Sequence, residues 1–102
     1  MFEKKITEQE ILSKFYDFVL EPTLSERERK IGLMAKNDLE RGRYNVAVVN
    51  QSIVSLQQEA IKNGLTPRAA EFYHMLESTA NEITPWGTNR GAVQVINSYL
   101  DD

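Results

Sequence analysis

The chain's one histidine is where its chemistry is most easily sought. Glu71-Phe72-Tyr73-His74 spells Glu-x-x-His, the pair with which ferritin-like helical bundles hold a di-iron centre, since residues three apart share a helix face. A complete centre needs two such pairs and two more inward carboxylates. His74 has no second histidine to join it, and it lies roughly 200° around a helix from Phe72 at 100° per residue. A solvent-facing histidine and no metal are expected. His74, Ser78 and Glu71 or Glu77 also supply the side-chain types of a base, a nucleophile and an orienting carboxylate. Crowded on one exposed helix, they imply neither oxyanion donors nor a water-excluding pocket, so no enzyme and no cofactor are expected.

A second candidate lies near the C-terminus. Gly87-Thr88-Asn89-Arg90-Gly91 resembles a small anion cradle at a helix start, where free amides, the positive end of the helix dipole and a guanidinium would favour a carboxylate or a phosphate. It lacks the Lys-Ser/Thr of a phosphate-binding P-loop. Trp86, the sole tryptophan, sits between Pro85 and Gly87, either as a lid on one end of the core or as an aromatic anchor for a partner. Phe15, Tyr16, Phe18, Phe72 and Tyr73 read as core and core edge rather than as a cofactor box. The Asn50-Gln51-Ser52 glycosylation triplet falls inside a helical pattern and is set aside.

These residues must be positioned by a small frame. With 102 residues, 41% hydrophobic and 26% charged, the chain has the mixture of one ordinary globular domain. The absence of cysteine leaves apolar burial as the source of stability and suggests reducing cytosol. A net charge of -3 and a pI near 5.2 argue against a nucleic-acid protein, which needs concentrated positive charge. Residues 1–8 have no apolar run after their charges, so no secretory signal is expected. The longest apolar run, Val46-Ala47-Val48-Val49, is far short of the roughly 20 residues of a spanning helix; any membrane contact is peripheral.

Helix signals fill the sequence. Thr7-x-x-Glu10 and Ser25-x-x-Glu28 are capping boxes. The first opens a helix from Glu8 to about Leu20, stopped by Pro22, with Ile11, Leu12, Phe15, Phe18 and Val19 inward. The second opens a helix from Glu26 to about Arg41, ended by Gly42, with a stripe of Ile31, Met34, Ala35 and Leu39. Gly32 lies inside it, tolerable where a neighbouring helix comes close. Val46, Val49, Ile53, Leu56 and Ala60 form the seam of a third helix closed by Gly64. Thr66-Pro67 opens a fourth, with Ala69, Phe72, Leu76, Ala80 and Ile83 inward, ending before Pro85. Val93, Ile96 and Leu100 suggest a short fifth. With no sustained strand alternation, the fold class expected is all-α: an antiparallel up-down four-helix bundle with a short C-terminal fifth helix, one domain over residues 1–102. Residues 1–45 carry 9 basic and 9 acidic side chains, and residues 46–102 carry 3 and 6. The sparsely charged second half is the better protein interface.

Taken in order, Glu10-Ile11-Leu12-Ser13-Lys14-Phe15-Tyr16-Asp17, Leu39-Glu40-Arg41-Gly42-Arg43-Tyr44 and Leu65-Thr66-Pro67-Arg68-Ala69-Ala70-Glu71-Phe72 resemble the first helix, the second helix end and the loop into helix 4 of the enterocin A immunity family. These are small bacteriocin immunity proteins of Gram-positive bacteria. The resemblance implies a cytoplasmic protein that protects its cell from a pediocin-like (class IIa) pore-forming peptide by binding, without turnover. The implied partner is the membrane part of the mannose phosphotransferase permease with the peptide bound, engaged from the cytosolic side, and specificity is associated with the C-terminal half. The residues then expected to meet the partner are Trp86, Thr88, Asn89, Arg90, Val93, Ile96 and Tyr99. The alternative is a generic helical adaptor or phage-encoded regulator.

Overall fold

Thr7 accepts the Glu10 amide at 3.1 Å, and the Glu10 carboxylate accepts the Thr7 amide at 2.9 Å, the reciprocal bonding that satisfies two free donors at a helix start. It opens α1, Glu8–Val19. The same exchange between Ser25 and Glu28 opens α2, Glu26–Glu40. Then follow α3, Asn45–Asn63, and α4, Pro67–Ile83. This computed structural model describes residues 6–83 and 97–100, and among the described residues there is no strand. Consecutive helices pack together: α1 on α2, α2 on α3, α3 on α4. Gly64, at φ 80° and ψ 160°, ends α3 in a backbone conformation that a side chain would strain.

One hydrophobic cluster takes residues from all four helices, together with Leu24 and Tyr99. Phe72 of α4 is its hub. Its ring stacks on Phe18 at 4.0 Å between centroids and meets Phe15 edge-on at 5.1 Å, the latter a geometry that complements the ring quadrupoles. The stripes of α1 and α4 follow the apolar periodicity: Ile11, Phe15 and Phe18 are buried on one, and Ala69, Phe72, Leu76 and Ala80 on the other.

The seam of α3 differs from the expected one. Val49 and Leu56 are buried, but Val46 and Ile53 are only half-buried and Ala60 is exposed. The inward face is instead completed by Val48, Ser52, Ser55 and Glu59. Their polar groups are satisfied in place, which removes most of the cost of burying them. Ser52 donates to the Val48 carbonyl at 2.8 Å and Ser55 to the Gln51 carbonyl at 2.7 Å. Glu59 accepts from Arg27 at 2.8 Å and from Asn63 at 2.9 Å. On α2, likewise, Glu28, Gly32 and Asp38 join Ile31 and Ala35 on the inner face, while Met34 and Leu39 sit at its margin.

Most of the expected fifth helix lies outside the described residues. Its last residues are described and are not helical: Asn97 and Ser98 are irregular, and the chain bends at Tyr99 and Leu100.

Gly32 marks where α1 and α2 approach most tightly. A Cβ there would lie 2.7 Å from Phe18 Cδ2 and 2.8 Å from Val19 Cγ1. Alanine would gain up to about 1 kcal/mol of helix propensity, but overpacking costs about 1–3 kcal/mol. Gly32→Ala is therefore expected to lower the urea midpoint. A raised midpoint would mean that α1 can move aside freely.

Candidate functional site

The most elaborate polar arrangement joins α2, the turn after it, α3 and the chain's C-terminal end. Asp38, in the last turn of α2, takes Arg41 on one carboxylate oxygen. Its other oxygen accepts from Arg43 at 2.7 Å and from the Tyr99 phenol at 2.9 Å. Arg43 also donates to Gln51 of α3 at 2.6 Å and to the Tyr99 oxygen at 3.1 Å. At the opposite end of the residue, the Tyr99 amide donates to Ser55 Oγ at 2.7 Å. Residues 61 apart in sequence are thereby joined.

The electrostatics follow from this geometry. Partial burial pulls the Asp38 pKa upward, but hydrogen bonds from Arg43 and Tyr99 and the charges of Arg43 and Arg41 outweigh it, and the carboxyl ends below its ordinary value. Burial, then the bond to Asp38, pushes the Tyr99 phenol well above its ordinary value. The signs give the working range. A depressed carboxylate contributes above its unfolded pKa and loses that contribution as pH falls through the folded one. A raised phenol contributes below its unfolded pKa and loses that contribution as pH rises through the folded one. The Asp38–Tyr99 link is thus in force throughout the neutral range.

Of the seven residues expected to meet a partner, Tyr99 alone is among the described residues. Trp86, Thr88, Asn89, Arg90, Val93 and Ile96 lie outside them. Tyr99 is 8% exposed and committed to Asp38, Arg43 and Ser55, so its side chain serves the fold rather than an outer contact. The chain bends at Tyr99, within the stretch expected to close a fifth helix.

The residues around His74 do not assemble a catalytic or metal centre. Its side chain is exposed, with Nδ1 3.4 Å from Glu77 Oε1. Glu71, equally open, pairs with Arg68 at 3.1 Å, and Ser78 is exposed. Among the described residues no three metal-ligating side chains converge, and no helix is long and apolar enough to cross a membrane. Comparison with protein-family models, curated proteins and solved structures gives no match.

An open cleft of about 290 Å³ lies between α1 and α4. Phe18, Phe72 and Met75 form its apolar part, and Lys14, Asp17, Glu21, Arg68 and Glu71 its rim. Arg68 reaches both Glu71 at 3.1 Å and Glu21 at 3.8 Å, so much of the rim charge is already balanced.

Sequence reasoning missed Glu28 as a tertiary link and Asp38, Arg43 and Ser55 as a cluster. Glu28 is 1% exposed. Beyond its capping bond to Ser25, it accepts from the Thr66 amide at 2.8 Å and the Thr66 hydroxyl at 2.7 Å, so one carboxylate serves the starts of both α2 and α4. The capping box was visible in sequence; the second bond depends on where α4 begins in space. For Asp38, the signal was an acid followed by arginines three and five residues later, which also describes an ordinary solvated helix end.

Proposed function

We propose that this chain is a bacteriocin immunity protein resembling the enterocin A immunity family. It protects its cell from a pediocin-like peptide by binding the peptide-loaded mannose phosphotransferase permease from the cytosolic side. The observation that carries this reading is a small all-helical chain with four helices at the spans on which the resemblance rests. The finer architecture that goes with it is an antiparallel up-down bundle, with a fifth helix that stops before Asn97. No step of turnover is required.

Under this reading the C-terminal flank contributes Trp86, Thr88, Asn89, Arg90, Val93 and Ile96 to the contact, while Tyr99 fastens its far end. Binding protects only through preference for one permease state, because equal affinity for the leaking and blocked states shifts nothing. A 100-fold preference corresponds to about 2.7 kcal/mol, within reach of one or two buried anchors. Trp86→Ala and Arg90→Ala are expected to weaken protection severalfold while the helical circular dichroism signal persists. A Trp86→Ala variant that unfolds would assign that ring to the core instead.

The test is expression inside a sensitive strain, followed by challenge with a panel of pediocin-like peptides. Strong protection against one or a few is expected. Soluble expression without resistance to any would transfer the assignment to a second reading, a helical adaptor. The α1–α4 cleft, with its paired phenylalanines, is the feature that favours that alternative.

A further inference from the structure

Tyr99 lies sixteen positions beyond Ile83, the last residue of α4, yet it is as buried as Phe72. Its ring joins the hydrophobic cluster, and its polar groups are held at both ends. The phenol is held by Asp38 and Arg43, the amide by Ser55. Of the neighbouring described residues, Leu100 rests against the edge of the core. Asn97 is exposed, Ser98 and Leu100 are half-buried, and the Leu100 amide turns back to Ser98 Oγ at 3.0 Å rather than to a helix. Beneath Ser98 and Leu100 a cavity of about 40 Å³ opens against Arg27, Ser55, Gln58, Glu59 and Lys62. A short irregular segment held by the side chain and amide of one residue opens at lower free energy than the helices it rests on.

We propose that residues 97–100 form a releasable strap, latched onto α2 and α3 through Tyr99, that opens as a unit while the four helices stay folded. Asp38, Arg43, Gln51 and Ser55 are its seat. Asp38 and Arg43 remain satisfied when it lifts, because they still hold each other, and Ser55 keeps its bond to the Gln51 carbonyl. Opening therefore strands no buried charge, which keeps the open state accessible. Tyr99 is a positioning residue: it acts by fixing the end of the flank assigned above to the partner.

Native-state hydrogen exchange of the whole chain tests this. The Tyr99 amide is expected to exchange at least tenfold faster than the amides of Phe15 and Leu56. Tyr99→Phe, which keeps the ring and removes the O–H donor, is expected to speed exchange at position 99 by a further tenfold or more, with the Phe15 and Leu56 amides changing less than twofold. Equal acceleration at all three sites would make Tyr99 an ordinary core residue and overturn the strap. No acceleration at position 99 would overturn the phenol as its latch.

The strap's use in recognition rests on the immunity reading. In a strain that the wild-type chain protects, Tyr99→Phe at matched expression is expected to lower the tolerated peptide concentration severalfold. Unchanged protection would overturn the role in recognition. A wild-type chain that gives no protection would sink the immunity reading, and the exchange rates would still decide the strap.

Discussion

Glu28→Ala is expected to lower the stability of the chain by about 3–4 kcal/mol. The carboxylate is buried and accepts from the Ser25 amide at 3.0 Å, the Thr66 amide at 2.8 Å and the Thr66 hydroxyl at 2.7 Å. Truncation removes every one of these acceptors. A hydrogen bond to a charged group contributes about 1.5–3 kcal/mol; the three donors are part-buried, so water recovers some of the loss, and they belong to the starts of two different helices. For a domain of this size each kcal/mol moves the thermal midpoint by about 4–8 °C, which puts the expected fall above about 12 °C. Glu28→Gln keeps the shape and one good acceptor, and is expected to recover at least half of the loss. The thermal midpoint by circular dichroism checks both. An alanine variant within about 1 kcal/mol of the wild type would show that water replaces the carboxylate freely and that α2 and α4 are not joined through it.

Phe15→Ala is expected to cost about 3–5 kcal/mol, the usual range for deleting a fully buried aromatic ring. Phe15 has no exposed surface, and its ring stands edge-on against Phe72, which itself stacks on Phe18. The truncation therefore opens a cavity between α1 and α4, where the cleft already limits how far the surroundings can close. Ser13→Ala, exposed on the same helix, is the control and leaves the urea midpoint unchanged. A small loss at Phe15 would mean that α1 rests on α2 alone and that the first and last helices do not share a core.

Helix starts and stops were legible in the sequence because local chemistry sets them. Thr7 and Glu10, and Ser25 and Glu28, bond as their spacing dictates, and Gly64 takes the positive φ that ends α3. The inner faces of α1 and α4 were legible for a related reason: both are apolar and obey a 3.6-residue period. The face of α3 was not. Periodicity counts apolar letters, whereas Ser52, Ser55 and Glu59 are buried because partners on their own helix or on α2 satisfy them. The candidate site was the least legible part. Tyr99 was expected to meet a partner, and nothing in its local spacing points to Asp38 and Ser55, which hold it inward. Such contacts between distant residues leave no trace in local spacing.

The proposed function requires differential recognition: the chain would grip the permease when the peptide is loaded and ignore it otherwise. Its most direct measurement is affinity capture of the permease by the tagged full-length protein from membranes of a sensitive strain, with and without the peptide the protein resists. Capture in the presence of the peptide, at least 100-fold above that in its absence, is the predicted result. Equal capture in both conditions, or none in either, would contradict it.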